Sequence, residues 1–172
     1  MNWDALGAIG ELVGAVGVIA TLFYLAAQIR TNTKATQSAS RLDVARDYRQ
    51  VMSLNLDLTN AKALRAGLRR YPEIPYEQRV LFATLMANEA LFFQGIFAQY
   101  ETKQLEEETY EAYLDWFTCL IITPGGMKWW EEAGRPVFTR RMVEGVDDRL
   151  MRGGLQDIFG MAGYEDEPRQ QT

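Results

Sequence analysis

Two carboxylates stand where acids are expensive. Glu11 interrupts an otherwise uncharged run from Ala5 to Ile29, and Glu89 falls on an apolar stripe between Leu85 and Phe92. A carboxylate removed from water must be paired, hydrogen-bonded or protonated, so both are candidate functional acids. Glu11 lies about two turns into its helix. It could snorkel to headgroups or complement the helix dipole, pack in an oligomer, or form a ring that conducts protons or ions. Glu89 could pair with a basic residue such as Arg46 or Arg65, or serve as a catalytic acid. Catalysis would lack helpers. Histidine is absent, Cys119 is the one cysteine, and no acids show paired spacing. That removes the commonest general base and zinc ligand, any Cys-His nucleophile, any intrachain disulfide and any cysteine cluster. The expectation is no catalytic, cofactor or metal residue, no enzyme, and a core thiol at Cys119.

The glycines are the next unusual spacing. Gly7, Gly10, Gly14 and Gly17 recur at intervals of three and four, with Thr21 and Gln28 on the same line. No Gly-x-Gly-x-x-Gly, no Gly-Lys-Ser/Thr and no preceding strand supports a nucleotide loop. On a helix the four glycines fall within an arc of roughly 80°. In lipid such a bare face lets helix backbones approach closely. Gly7, Gly10, Gly14, Gly17 and Thr21 are the expected helix–helix interface.

A third constellation lies far along the chain. Pro124-Gly125-Gly126 permits a sharp change of direction, and Trp129-Trp130 follow at once. Adjacent indoles on a helix point about 100° apart, so both rarely enter one core. The pair reads as a corner plug, or as a partner surface of Trp129 and Trp130 with Arg135, Arg140 and Arg141.

These residues need elements to hold them. The run 5–29 makes a helix of roughly 37 Å, against about 30 Å of bilayer core. Trp3 and Tyr24 sit near its ends, where amphipathic rings favour the interface. The start, Met1-Asn2-Trp3-Asp4, has an acid where a cleaved signal peptide wants a cation. Arg30, Lys34, Arg41, Arg46 and Arg49 follow the run, which predicts an outside N-terminus and a cytoplasmic domain. Residues 30–70 carry nine Lys/Arg against three Asp, and residues 71–172 nine Lys/Arg against eighteen Asp/Glu. The two parts could pack with complementary surfaces, or the basic part could lie near anionic headgroups.

The fold class is all-α: one N-terminal transmembrane helix continuing into, or followed by, a cytoplasmic bundle of about four to five helices. The division is an anchor at 1–30, a helical domain at 31–160 and a polar tail at 161–172. The domain reads as a stalk helix at 31–54, then helices at 57–70, 76–103, 105–122, 126–133 and 136–152. Ala35, Ser38, Leu42, Ala45, Tyr48 and Met52 form the stalk's inward stripe, with a possible break near Asn32. Asn55 or Asp57 caps the next helix, with Leu58, Ala61, Leu64 and Leu68 inward. Residues 76–103 are apolar enough to span, but Asn88, Glu89, Gln94 and Gln99 favour a bundle core.

Together the landmarks resemble a known family. Trp3, Ala5-Leu6-Gly7-Ala8-Ile9-Gly10-Glu11, Tyr24-Leu25, Gln28-Ile29-Arg30 and Asn32-Thr33 are similar to the opening of a family of small, uncharacterised bacterial membrane proteins. Pro124-Gly125-Gly126 with Trp129-Trp130 resembles its C-terminal landmark. The resemblance runs from about 3 to 140. It implies a bacterial inner-membrane protein with an N-terminal anchor and a helical domain, and brings no catalytic residues.

The functional expectation is a membrane-anchored, oligomeric helical scaffold or accessory subunit working through protein–protein contacts. Its partners are membrane lipid and either a second copy or another membrane protein. The alternative is an oligomeric pore lined by the glycine helix. Nucleic acid is not expected, because the basic segment lacks interleaved aromatics and the chain is acidic, with a net charge of −5.

Overall fold

The computed structural model describes residues 3–55 and 57–161, with the side chains of 7, 9–55 and 57–160. The Trp3 ring and the tail from 162 onward lie outside the described residues. All described elements are helical. α1 runs Trp3–Asn55, α2 Leu58–Arg70, α3 Tyr76–Glu101, α4 Glu107–Ile121 and α5 Pro124–Trp129. A π-helical turn, Trp130–Gly134, continues α5, and α6 (Arg140–Arg152) and the short α7 (Ile158–Met161) follow.

No break occurs near Asn32. Without Gly or Pro from Val18 to Ala66, α1 continues for 53 residues, roughly 80 Å. Its hydroxyls do not interrupt the ladder: Thr31 and Thr33 donate back to Ala27 and Ile29 carbonyls at 3.0 Å. Among the described residues two helices are long and apolar enough to cross a membrane, α1 and α3. They differ in what covers them. The apolar window of α1 is 0% buried within the fold, that of α3 39%.

Local chemistry sets the helix ends. Asp57 caps α2, accepting from the Thr59 and Asn60 amides at 2.8 and 3.2 Å, and these bonds hold its carboxyl below the usual range. Thr123 caps α5, accepting from the Gly126 amide at 3.0 Å while donating to Leu120 O at 2.8 Å. Gly153, at φ +64°, ends α6 in the left-handed region. The last long helix, expected from 136, begins at Arg140. Residues 134–137 form a turn closed by Val137 N–H to Gly134 O at 3.0 Å, and Thr139 is the N-cap.

The core is built on α3. Phe82, Met86, Ala90, Phe93 and Ile96 face Leu114, Phe117 and Ile121 of α4, with Trp129, Trp130, Met142 and Val146 closing it. The stalk's inward stripe differs from the expected one. Gln37, Ser40, Val44, Tyr48, Val51, Met52 and Asn55 turn inward, whereas Ala35, Ser38, Leu42 and Ala45 are exposed. Both series have helical spacing. The two share Tyr48 and Met52 and part company before them, where Val44 is buried at 2% exposure and Leu42 is left out at 69%. Leu58 and Val137 are also exposed, at 67% and 75%.

Candidate functional site: a buried acid and an open helix face

Glu89 is 4% exposed. It is not paired with Arg46, which binds Asp43 at 3.0 Å, nor with Arg65, which is exposed. Its partner is Asn55, at the end of α1, whose Nδ2 donates to Glu89 Oε1 at 3.3 Å. Burial pushes the Glu89 carboxyl up to about 7, although the Asn55 bond favours the charged form. Beside it stands an aromatic cluster from three helices. The Tyr48 ring lies 5.2 Å from Phe92, 5.7 Å from Tyr113 and 6.4 Å from Trp116, edge-on to the last two. Burial, and then the Glu89 charge, raise the Tyr48 phenol above its usual value. Asn55 also borders a cavity of about 310 Å³ between α1, α2 and α7, lined by Leu64, Arg65, Leu68 and Phe159.

The glycine face has a different character. Gly7, Gly10, Gly14 and Gly17 all lie on α1, and an added Cβ at any of them would meet nothing within 4 Å. Thr21 Oγ1 donates to Gly17 O at 2.8 Å, so its hydroxyl needs no outside partner. Glu11 is exposed and makes no ion pair among the described residues. At about 100° per residue, the direction of Gly7, Gly10, Gly14, Gly17 and Thr21 lies roughly 150° from that of the residues seated on the bundle. One unbroken helix therefore offers its bare face on the side away from its own domain.

Of the two readings of the tryptophan pair, corner plug or partner surface, the burial of both rings fits the plug. Trp129 is 2% exposed and Trp130 0%. Both enter the core because their short helix is enclosed on more than one side. α2 covers it at Gly125, and the chain returns over it at Phe138, whose ring lies 6.3 Å from Trp130. Gly134 leaves the room: a Cβ there would come within 3.1 Å of Trp129 and closer to Trp130. The arginines are engaged locally. Arg135 binds Asp147 at 2.5 Å, Arg140 binds Glu144 at 2.7 Å and Arg141 binds Glu101 at 2.6 Å. Trp130 Nε1 points at the same Asp147 oxygen, 3.5 Å away.

Pro124-Gly125-Gly126 is a contact as well as a corner. A Cβ on Gly125 would overlap the Gly67 carbonyl of α2, and one on Gly67 would overlap the Phe82 ring. The Asn55–Glu89 bond, the Tyr48 cluster and the Gly67–Gly125 contact join residues far apart in sequence. Only the apolar phase of Glu89 and the glycine pair hinted at them.

Cys119 is buried, and burial raises its thiol above its usual value, leaving it protonated and inert. Among the described residues no three His, Cys, Asp or Glu gather to hold a metal. No protein-family profile, no curated protein and no solved structure matches this chain.

Proposed function

We propose that the chain is a membrane-anchored helical scaffold or accessory subunit that self-associates through α1. The anchor is the segment 5–29, crossing a bacterial inner membrane once, with the N-terminus outside and the bundle in the cytoplasm. The likeness to the small bacterial membrane family supports that setting. So does the difference between the two long apolar helices, since α3 has a core to enter and the apolar part of α1 has none. Trp3 and Tyr24 would sit at the two interfaces, and Glu11 would reach the outer headgroups.

One observation carries the self-association. At about 100° per residue, the open glycine face and the bundle-seating face fall on nearly opposite sides of a single helix. Two copies can bring their glycines into backbone contact while each bundle hangs on the outer side, free of its mate. Had the faces coincided, the domains would collide before the helices met. Work is then done by protein–protein contact rather than by catalysis.

The test is intact-complex mass spectrometry after mild-detergent purification, run on the wild type and on a Gly10→Ile, Gly14→Ile double variant. The expected result is a dimer that the variant converts to monomer. A monomeric wild type, or an undisturbed dimer in the variant, refutes the proposal. A larger ring with single-channel conductance would turn the reading to the pore.

A further inference from the structure

The α1–α3 seam contains an ionisable group that neither anchoring nor self-association uses. α1 enters the bundle along Val44, Tyr48, Val51, Met52 and Asn55, and Val44 is its one fully buried side chain among the described residues. Little apolar burial holds this segment, so it belongs to the low-stability end of the fold. Glu89 sits within that seam, with Asn55 donating to it at 3.3 Å.

Among the described residues, none of the groups around it is seen paired with its charge. α1 contributes Tyr48 and Asn55. α4 contributes Tyr113 and Trp116, whose rings lie against Tyr48. α2 carries Lys62, Arg65, Arg69 and Arg70, but Lys62, Arg65 and Arg70 are exposed and Arg69 lies over the Phe159 ring at 4.5 Å. Glu131 and Glu132 of the π-helical turn are exposed. What acts on the Glu89 charge is burial and one amide.

We propose that Glu89 is a proton-operated clasp: protonated, it seats residues 44–55 of α1 on α3, and ionised, it releases that segment while the rest of the bundle stays folded. A neutral carboxyl fits a site with one amide donor and a phenol. An ionised one needs water or a cation. The α1 segment that ends at Asn55 covers Glu89, so lifting it away opens the carboxylate to water. The direction follows from the raised acid. With 4.5 in the open segment and about 7 in the closed one, the seam is intact below pH 4.5 and weakens up to pH 7. Between pH 5 and pH 8 the open population should rise about 70-fold. The clasp stands whether or not α1 lies in a bilayer, but an anchor on α1 would let local pH set how firmly the bundle sits on its stalk.

Hydrogen exchange of the full chain in detergent micelles, at pH 5, 6, 7 and 8 and corrected for intrinsic rates, tests this. Protection of 44–55 should fall about 70-fold across the series while that of 107–121 holds. In Glu89→Gln, which keeps an acceptor for Asn55 but cannot ionise, the fall should shrink below about 3-fold. Constant protection in the wild type, an equal fall in Glu89→Gln, or a parallel fall across 107–121 overturns the clasp. Should Glu89→Gln fail to fold, Asn55→Leu provides the second reading. Losing the bond that favours the charged form must move the midpoint to higher pH, and an unmoved midpoint overturns the proposal.

Discussion

Gly125→Ala adds one methyl group at the tightest backbone approach in the bundle. Its Cβ would lie 2.9 Å from the carbonyl carbons of both Gly67 and Leu68, and nearer still to the Gly67 oxygen. Ordinary carbon contacts are about 3.5–4.0 Å, so clearing the two carbons alone moves α5 from α2 by roughly 0.6–1 Å, and clearing the Gly67 oxygen takes more. The obstacle is backbone, which has no rotamer to yield. Retreat would also loosen Leu68 and Trp129, which are buried at 3% and 2% exposure. Overpacking of this kind costs about 1–3 kcal/mol, and rigid neighbours put it at the upper end. Alanine returns at most about 1 kcal/mol of helix propensity, less near a helix start. The net expectation is a loss of about 2 kcal/mol, or roughly 4–8 °C for a domain of this size. Gly95→Ala is the control: on α3 an added Cβ meets nothing within 4 Å, so the same substitution should stabilise by up to about 1 kcal/mol. Urea unfolding of both variants in one detergent, followed by tryptophan fluorescence, measures the difference. A Gly125→Ala protein as stable as wild type, or two variants shifting in the same direction, would refute the close-approach reasoning.

Global stability should depend on pH through Glu89. An acid raised from 4.5 to about 7 makes its full contribution below pH 4.5 and loses it as pH rises to 7. Glu89→Gln should therefore stabilise the protein by up to about 3 kcal/mol at pH 8 and by almost nothing at pH 4, seen as diverging denaturation midpoints. Trp130→Ala should lose about 3–5 kcal/mol, because the indole is fully buried against Phe117 and Phe138; a surface-like change below about 1 kcal/mol would contradict its place in the core. Arg149 is 11% exposed, binds Asp115, and donates to Gly153 O at 2.9 Å. Arg149→Ala should cost about 1.5–3 kcal/mol by urea unfolding. Arg141→Ala, which breaks a pair 74% and 38% exposed, should stay within about 1 kcal/mol.

Much of the architecture was legible because it is local. Helices, caps and the Gly153 stop follow from periodicity, side-chain hydrogen bonding to nearby amides, and the backbone freedom of glycine. The core face of α3 could be read from its spacing, and so could the uncovered apolar length of α1. The stalk's inward face could not. Ala35, Ser38, Leu42 and Ala45 form as regular a stripe as Gln37, Ser40 and Val44, and only contact with α3 and α4 chooses between them. The expectation that adjacent indoles rarely share one core failed for a related reason. The 100° rule describes one helix beside one neighbour, and this helix is enclosed by α2, α4 and its own returning chain.

By itself, then, the sequence determined the helical class, the segment lengths, the lack of histidine and the bare glycine face, since each is a property of composition or of spacing along one element. The tertiary structure alone decided which acid is buried, what meets it, and which side of α1 the bundle takes. Those depend on pairs such as Asn55 with Glu89 and Gly67 with Gly125, 34 and 58 residues apart. No local periodicity records a contact across that distance, because loops set which faces meet and packing then selects among equally regular stripes.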